Sequence, residues 1–291
     1  QLTCDADAKY YNFPLTLTTE VPAGWSKAQV KQGDRTQSVD VVDGKAQYDA
    51  MRASFAAGGF DDACCEYLII DNTGPHQIDA FQGLNAILNA ARAPFVILCH
   101  QDVRLISDNR ATLDTRLADL TQRDPAWALA GNAGGVAPGR LAVRITDPHG
   151  PDQHAGDLPE RVTSLDENFI VVRRDARVRF SNDLSGFHLY GADICLHASL
   201  LGNTAYVIDF HLQHLSPGKK DQSFTAAEKA FIDKWSGALE ARWLQTTCTL
   251  VHLTDSPLRR SIGRLIDRPL ARLARHLPSA LGWSPPSKRL S

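Results

Sequence analysis

Long apolar runs are missing from this chain. No stretch approaches the roughly 18 apolar residues of a membrane-spanning helix, and no charged-then-apolar leader pattern opens it. The six cysteines, at positions 4, 64, 65, 99, 195 and 248, include no C-x-x-C spacing. That excludes a zinc knuckle and a small disulfide scaffold and leads us to expect a reducing, cytoplasmic setting. Cys99 and Cys195 lie inside apolar runs and read as small core residues. Met51 is the single methionine and the chain opens on Gln1, so its first residues constrain localisation weakly. The net charge of −2 gives no reason to expect a nucleic-acid partner. Neither the G-x-G-x-x-G nor the Walker phosphate-binding pattern occurs.

What is present is a composition able to bury a sizeable core, 43% hydrophobic over 291 residues. The small net charge hides an asymmetry. Residues 255–291 carry eight Lys or Arg against two Asp, +6, which leaves −8 for residues 1–254. We therefore expect two parts: a catalytic or binding domain over 1–222, and a helical extension with a basic tail over 223–291.

The chain is organised around residues 85–103. A helix and a proline-marked turn lead into an apolar strand, Phe95 to Cys99, that ends in His100-Gln101-Asp102. A strand with no polar residue is expected to be covered on both faces, and ligands bind at the carboxyl ends of such strands. His100 and Asp102, two apart in an extended segment, point the same way, and imidazole with carboxylate suits a divalent cation. A polar pair just past a strand is also ordinary turn chemistry.

Around this stretch the periodicity predicts a strand at Leu15–Thr18 and one at Ser38–Val42. A helix carrying Tyr48, Met51, Arg52 and Phe55 follows, then a strand at Tyr67–Ile70 ending in Asp71-Asn72, and a helix carrying Ile78, Phe81, Leu84, Ile87 and Leu88. The order strand, helix, strand, helix, strand argues for a parallel, doubly wound α/β sheet with right-handed crossovers. A further helix carries Leu113, Leu117 and Leu120. Residues 131–160, rich in Gly and Pro, read as a long loop, either a flexible segment over the site or a plain surface excursion. Asp166 and Glu167 precede a strand at Phe169–Val172, where solvated acids are the plain reading. Asp193 falls in the first turn of a helix, where the dipole favours a carboxylate. His211, His214, Ser216, Lys219 and Lys220 share a Gly/Pro loop suited to an anion such as pyrophosphate.

The order of these features resembles the inverting, nucleotide-sugar-dependent glycosyltransferases of family 2, with the GT-A fold, and among them bacterial members with His-x-Asp where most carry Asp-x-Asp. Asn85 stands fifteen residues before His100, as an Asn does in that family. Ile70-Asp71-Asn72 resembles the family's "V-D-N", Asp193-Ile194-Cys195-Leu196-His197-Ala198 its "D-L-C-L-R-A", and His214-Leu215-Ser216-Pro217-Gly218 its closing His-x-Ser-x-Gly. The likeness covers roughly residues 38–220.

It implies a GT-A-like doubly wound mixed sheet and transfer of a sugar from a nucleoside-diphosphate donor, a UDP-sugar foremost. The acceptor would be a hydroxyl of a growing surface polysaccharide, lipopolysaccharide or related glycan. It further implies that Asp71, with Asn72, Asn85 and Lys219, helps hold the donor. His100, Asp102 and His214 would hold Mn²⁺ or Mg²⁺ against the diphosphate, and Asp193 would be the base, with Glu167 or Asp166 as alternatives. Two departures stand out: Tyr190-Gly191 occupies the place of a Glu-Asp pair, and Leu84 that of an Arg. The missing pair motivates a second reading, a catalytically silent domain that binds a nucleotide sugar or scaffolds a glycan assembly complex. A metal-dependent phosphohydrolase is a third.

Thr225-x-x-Glu228 reads as a capping box starting a helix with Phe231, Trp235, Leu239 and Trp243. Beyond it, Arg259, Arg260, Arg264, Arg268, Arg272 and Arg275 alternate with apolar residues. Such basic amphipathic helices can lie peripherally on the inner face of an anionic membrane, beside a lipid-linked acceptor. Packing on the domain or on a second copy is the alternative.

Overall fold

The computed structural model describes residues 27–32, 35–40, 44–70, 72, 77–218 and 220–256, with side chains from residue 47 onward. The expected strand at Leu15–Thr18, the donor residues Asp71 and Lys219, and the basic tail from residue 257 lie outside the described residues. The chain divides into two compact units at Gly44. In the first, β1 (Lys27–Gln32) and β2 (Arg35–Asp40) form an antiparallel hairpin.

The second unit begins with α1 (Gly44–Ala57), which ends at Gly58-Gly59, where Gly59 takes a left-handed φ of 87°. It continues through α2 (Ala80–Ala90), β3 (Phe95–Cys99), β4 (Val103–Leu105), α3 (Arg110–Arg123) and β5 (Trp127–Gly131). Next come β6 (Ala133–Ala137), β7 (Arg140–Asp147), β8 (Gly150–Ala155), β9 (Glu160–Val162), β10 (Ser164–Leu165) and β11 (Phe169–Arg173). The order closes with α4 (Tyr190–Leu200), β12 (Thr204–Val207), β13 (Leu212–His214), α5 (Gln222–Ala238), β14 (Arg242–Gln245) and β15 (Leu250–Leu253).

The central sheet runs β3-β11-β5-β12-β9, and both faces are covered. Alternate residues of each strand go to opposite sides, the consequence of a period of two. Val96, Leu98, Ile170, Val172, Ala205 and Val207 face one core with α2, α4 and α5, through Phe81, Leu88, Ile194, Phe231 and Trp235. Phe169, Val171, Tyr206 and Ile208 face the other with α1 and α3, through Met51, Phe55, Leu113, Leu117 and Leu120. The covering expected for β3 is met in this way.

The fold is mixed α/β, and the parallel sheet expected from the strand and helix order is not what forms. In the central sheet only β5 and β12 run parallel; β3, β11 and β9 are antiparallel to their neighbours. Strands buried on both faces are equally apolar in either direction, so periodicity carries no information about direction. The expected loop 131–160 is also strand. It builds most of a second mixed sheet, β10-β6-β7-β13-β4, with β8 paired outside β7. Its sequence hides this for physical reasons. Ala133-Gly134-Gly135 is small because neighbours press close: a Cβ on Gly135 would stand 1.9 Å from the Gln245 carbonyl oxygen. Pro151 lies on β8, which pairs only with β7, so its missing N–H leaves no ladder bond unmade. Conversely, Tyr67–Ile70 forms no strand.

The helical extension differs as well. Asp221, not Thr225, caps α5, accepting from the amides of Ser223 and Phe224, and Glu228 instead accepts from Thr249 Oγ1. The helix ends at Ala238, and Trp243 lies on β14 of the antiparallel hairpin β14–β15. α5 and this hairpin share the core of the main unit through Phe224, Phe231, Trp235, Leu244, Val251 and Leu253. The close contact at Gly135 ties β6 to that hairpin. Gly135→Ala is therefore expected to cost about 1–3 kcal/mol, read as a lower urea midpoint; an unchanged midpoint would remove the contact from the account.

Candidate functional site

The site begins where β3 stops. The His100 amide donates to the Asn168 carbonyl at 3.0 Å, and the chain turns so that the Val103 amide reaches back to the His100 carbonyl. Strand β13 pairs antiparallel with β4 in a register that sets His214 opposite Val103, and the Leu215 amide donates to the Asp102 carbonyl at 3.1 Å. Backbone pairing thus brings together residues more than a hundred positions apart. His214 Nε2 lies 3.4 Å and His100 Nδ1 4.0 Å from the same oxygen, Asp102 Oδ1. One ligand atom from each of the three residues falls within 4.8 Å of the others.

The three side chains set one another's charge. Asp102 Oδ1 and His214 Nε2 are both buried and neither has a hydrogen-bond partner of good geometry, an arrangement costly unless something fills it. Burial works against the Asp102 charge, but His214 and His100 outweigh it and hold the carboxyl below its usual range. Burial likewise opposes charge on His214, and Asp102 more than offsets it, raising that imidazole. His100 is moved the other way, burial lowering it. Two nitrogens and one carboxylate oxygen make a donor set suited to a divalent transition metal.

This cluster opens into a cavity of about 1330 Å³, lined also by Asn72, Asp147, His149, Asp166, Glu167, Tyr190 and Lys220. The two acids follow β10. Asp166 is held in place, accepting from the Asn168 amide and side chain and from Thr247 Oγ1 at 2.6 Å. Glu167 sits at the N-terminus of α4. There Leu189 takes a left-handed φ of 64° and gives no side-chain cap, and the Glu167 carboxylate faces the amides of Leu189, Tyr190 and Gly191. Burial, with the neighbouring Asp166 charge, pushes the Glu167 carboxyl up to about 8, against the pull of those amides. Gly191 makes the approach possible, since a Cβ there would meet the Leu165 carbonyl oxygen at 2.3 Å.

Two residues expected at the site are placed elsewhere. The Asp193 carboxylate has no exposure and is enclosed by the Ser181 amide at 2.8 Å, Ser181 Oγ at 2.6 Å and Trp235 Nε1 at 3.0 Å. It fastens α4 to α5 and to the segment before α4, and it does not line the cavity. Asn85 donates to the Phe180 carbonyl and accepts from the Phe180 amide, both at 3.0 Å, so its side chain clamps backbone instead of facing a ligand. Asn72 does line the cavity, and it braces the backbone of Ile78 in the same two-way manner. Sequence reasoning had no signal for Thr247, which reaches Asp166 from the β14–β15 turn. Tyr190 was visible only as a departure from a pattern.

Asp193→Ala leaves three buried donors without their acceptor and is expected to lower stability by about 2–4 kcal/mol, read by chemical denaturation. An unchanged midpoint would mean that these hydrogen bonds do not fasten α4 and would return Asp193 to the candidate site.

No family model matches the chain. It is 37% identical over 203 residues to a protein of Fuscovulum blasticum named ATP synthase subunits region ORF 6, a span of 67% of this chain and 81% of that one. That name states no activity. With that identity and coverage, the chain belongs to the family of the Fuscovulum blasticum ORF 6 protein.

Proposed function

We propose that this protein is a metal-dependent inverting glycosyltransferase of the GT-A type. It would move a sugar from a nucleoside-diphosphate donor, a UDP-sugar foremost, to a hydroxyl of a surface or lipid-linked glycan. The observation that carries the reading is the convergence of His100, Asp102 and His214 on one buried, unpartnered oxygen and nitrogen inside a large cavity. Ligand cavities commonly span about 300–1,000 Å³, so the space accommodates a donor with part of an acceptor. The cluster lies just past the carboxyl end of β3, in a mixed sheet covered on both faces.

The donor set fits a divalent cation, held by His100, Asp102 and His214. Bound there, the cation would supply positive charge opposite a diphosphate leaving group, which gains negative charge as the glycosidic bond breaks. The remaining steps fall to the protein. Lys220 lines the cavity and adds a cationic side chain there, its ammonium donating to the Cys248 carbonyl. Glu167 is the group suited to take the proton from the acceptor hydroxyl, because its carboxyl, raised to about 8, is far more basic than an ordinary glutamate. Asp193 is set aside for this role because it has no exposure and, unlike Glu167, does not line the cavity.

Incubation with a panel of nucleotide sugars and Mn²⁺ should release nucleoside diphosphate, and Asp102→Ala should reduce that release by at least about 100-fold. Turnover that survives in the variant would sink the proposal, while tight donor binding without turnover by the wild type would leave a nucleotide-sugar-binding domain. Glu167 must be ionised to act as a base. Turnover is therefore expected to rise as pH rises through about 8, and Glu167→Gln should lower it about 100- to 10,000-fold and abolish that limb. A flat pH profile would assign the proton transfer elsewhere.

A further inference from the structure

Tyr190 is buried behind His100 and takes no part in the chemistry above. Its hydroxyl lies 2.6 Å from His100 Nε2 and 3.1 Å from the Glu167 carbonyl oxygen. Its ring stands edge-on to Phe81 and Phe180, with centroids 6.3 and 5.9 Å away. The Asn85 clamp on the Phe180 backbone secures that second ring in turn. The hydroxyl is thus fixed by packing.

A carbonyl oxygen only accepts, so the bond to Glu167 uses the single Tyr190 proton. The tyrosine oxygen is then free to accept from His100, and both neighbours are satisfied. In the reverse arrangement Tyr190 donates to His100 and the Glu167 carbonyl loses this partner, which is the poorer solution for buried polar groups. His100 accordingly carries its proton on Nε2, and Nδ1 keeps its lone pair. That nitrogen is the one 4.0 Å from Asp102 Oδ1. A lone pair facing a carboxylate oxygen leaves two acceptors opposed, an arrangement that a cation or a bridging donor between them relieves.

We infer that Tyr190 is a positioning residue: its hydroxyl holds His100 in the Nε2–H tautomer and so presents Nδ1, beside Asp102 and His214, as a cation ligand. The cation part rests on the function proposed above; the tautomer does not. Groups that orient a metal-binding histidine in this way contribute about 10- to 100-fold to metal affinity. Tyr190→Phe keeps the ring between Phe81 and Phe180 and removes only the hydroxyl.

Long-range proton–nitrogen NMR on metal-free, histidine-labelled protein at pH 8, with His100 assigned through His100→Gln, reads the tautomer without any ligand. The wild type is expected to show Nε2 protonated and Nδ1 unprotonated, and Tyr190→Phe to shift that population. Calorimetric titration with Mn²⁺ should then show affinity lowered about 10- to 100-fold in Tyr190→Phe. A wild-type His100 protonated on Nδ1, or a variant with the wild-type tautomer and affinity, would overturn the inference. Should the wild type bind no Mn²⁺, the proposed function fails, while the tautomer pattern still decides the part played by Tyr190.

Discussion

The candidate site depends on one short piece of backbone pairing, the antiparallel ladder between β4 and β13. Three register pairs place His214 beside the turn that carries Asp102. A slip by one residue would turn His214 to the opposite face and dissolve the cluster. The register is secured from both flanks, because β13 also runs parallel to β7 and because the Leu215 amide bonds the Asp102 carbonyl. The second sheet, whose edge this ladder forms, therefore serves the site directly.

Around that ladder, environment assigns different work to similar side chains. Asp102 is buried, and its Oδ1, facing two imidazoles, has no hydrogen-bond partner of good geometry, so that oxygen is available to something placed among them. Asp193 is buried more deeply, and three donors use up its oxygens. Glu167 lies between these extremes, its charge opposed by burial and by Asp166 while helix amides moderate the shift. Burial alone does not distinguish a structural carboxylate from a reactive one. The inventory of donors around each does.

Much of the frame was legible in the sequence. Helical spacing located α1, α2 and α3 and named Leu113, Leu117 and Leu120 as the core face of α3, and the apolar run Phe95–Cys99 announced β3 and its polar end. The failures have definite causes. β6 and β8 were hidden because Gly134 and Gly135 are small for close packing and Pro151 sits on an edge, while the alternation of Leu141, Val143 and Ile145 on β7 was masked by the Gly- and Pro-rich segments on either side of it. Strand direction was invisible because doubly covered strands look alike both ways. At the site, His100 and Asp102 were named from their residue types and spacing, and His214 joined them through the family resemblance. The exclusion of Asp193 and Asn85 was not readable, since it depends on contacts with Trp235 and Phe180, 42 and 95 positions away. Tyr190, a departure from the resembled pattern, proved to be the hydrogen-bond partner of His100.

The central claim is that His100, Asp102 and His214 hold one divalent cation. Anomalous diffraction at the manganese edge, from crystals soaked in Mn²⁺ with UDP, tests it most directly. The account predicts a single strong peak bounded by His100 Nδ1, Asp102 and His214 Nε2, with UDP density in the adjoining cavity. A peak elsewhere, or bound UDP with no metal among these three side chains, would contradict it.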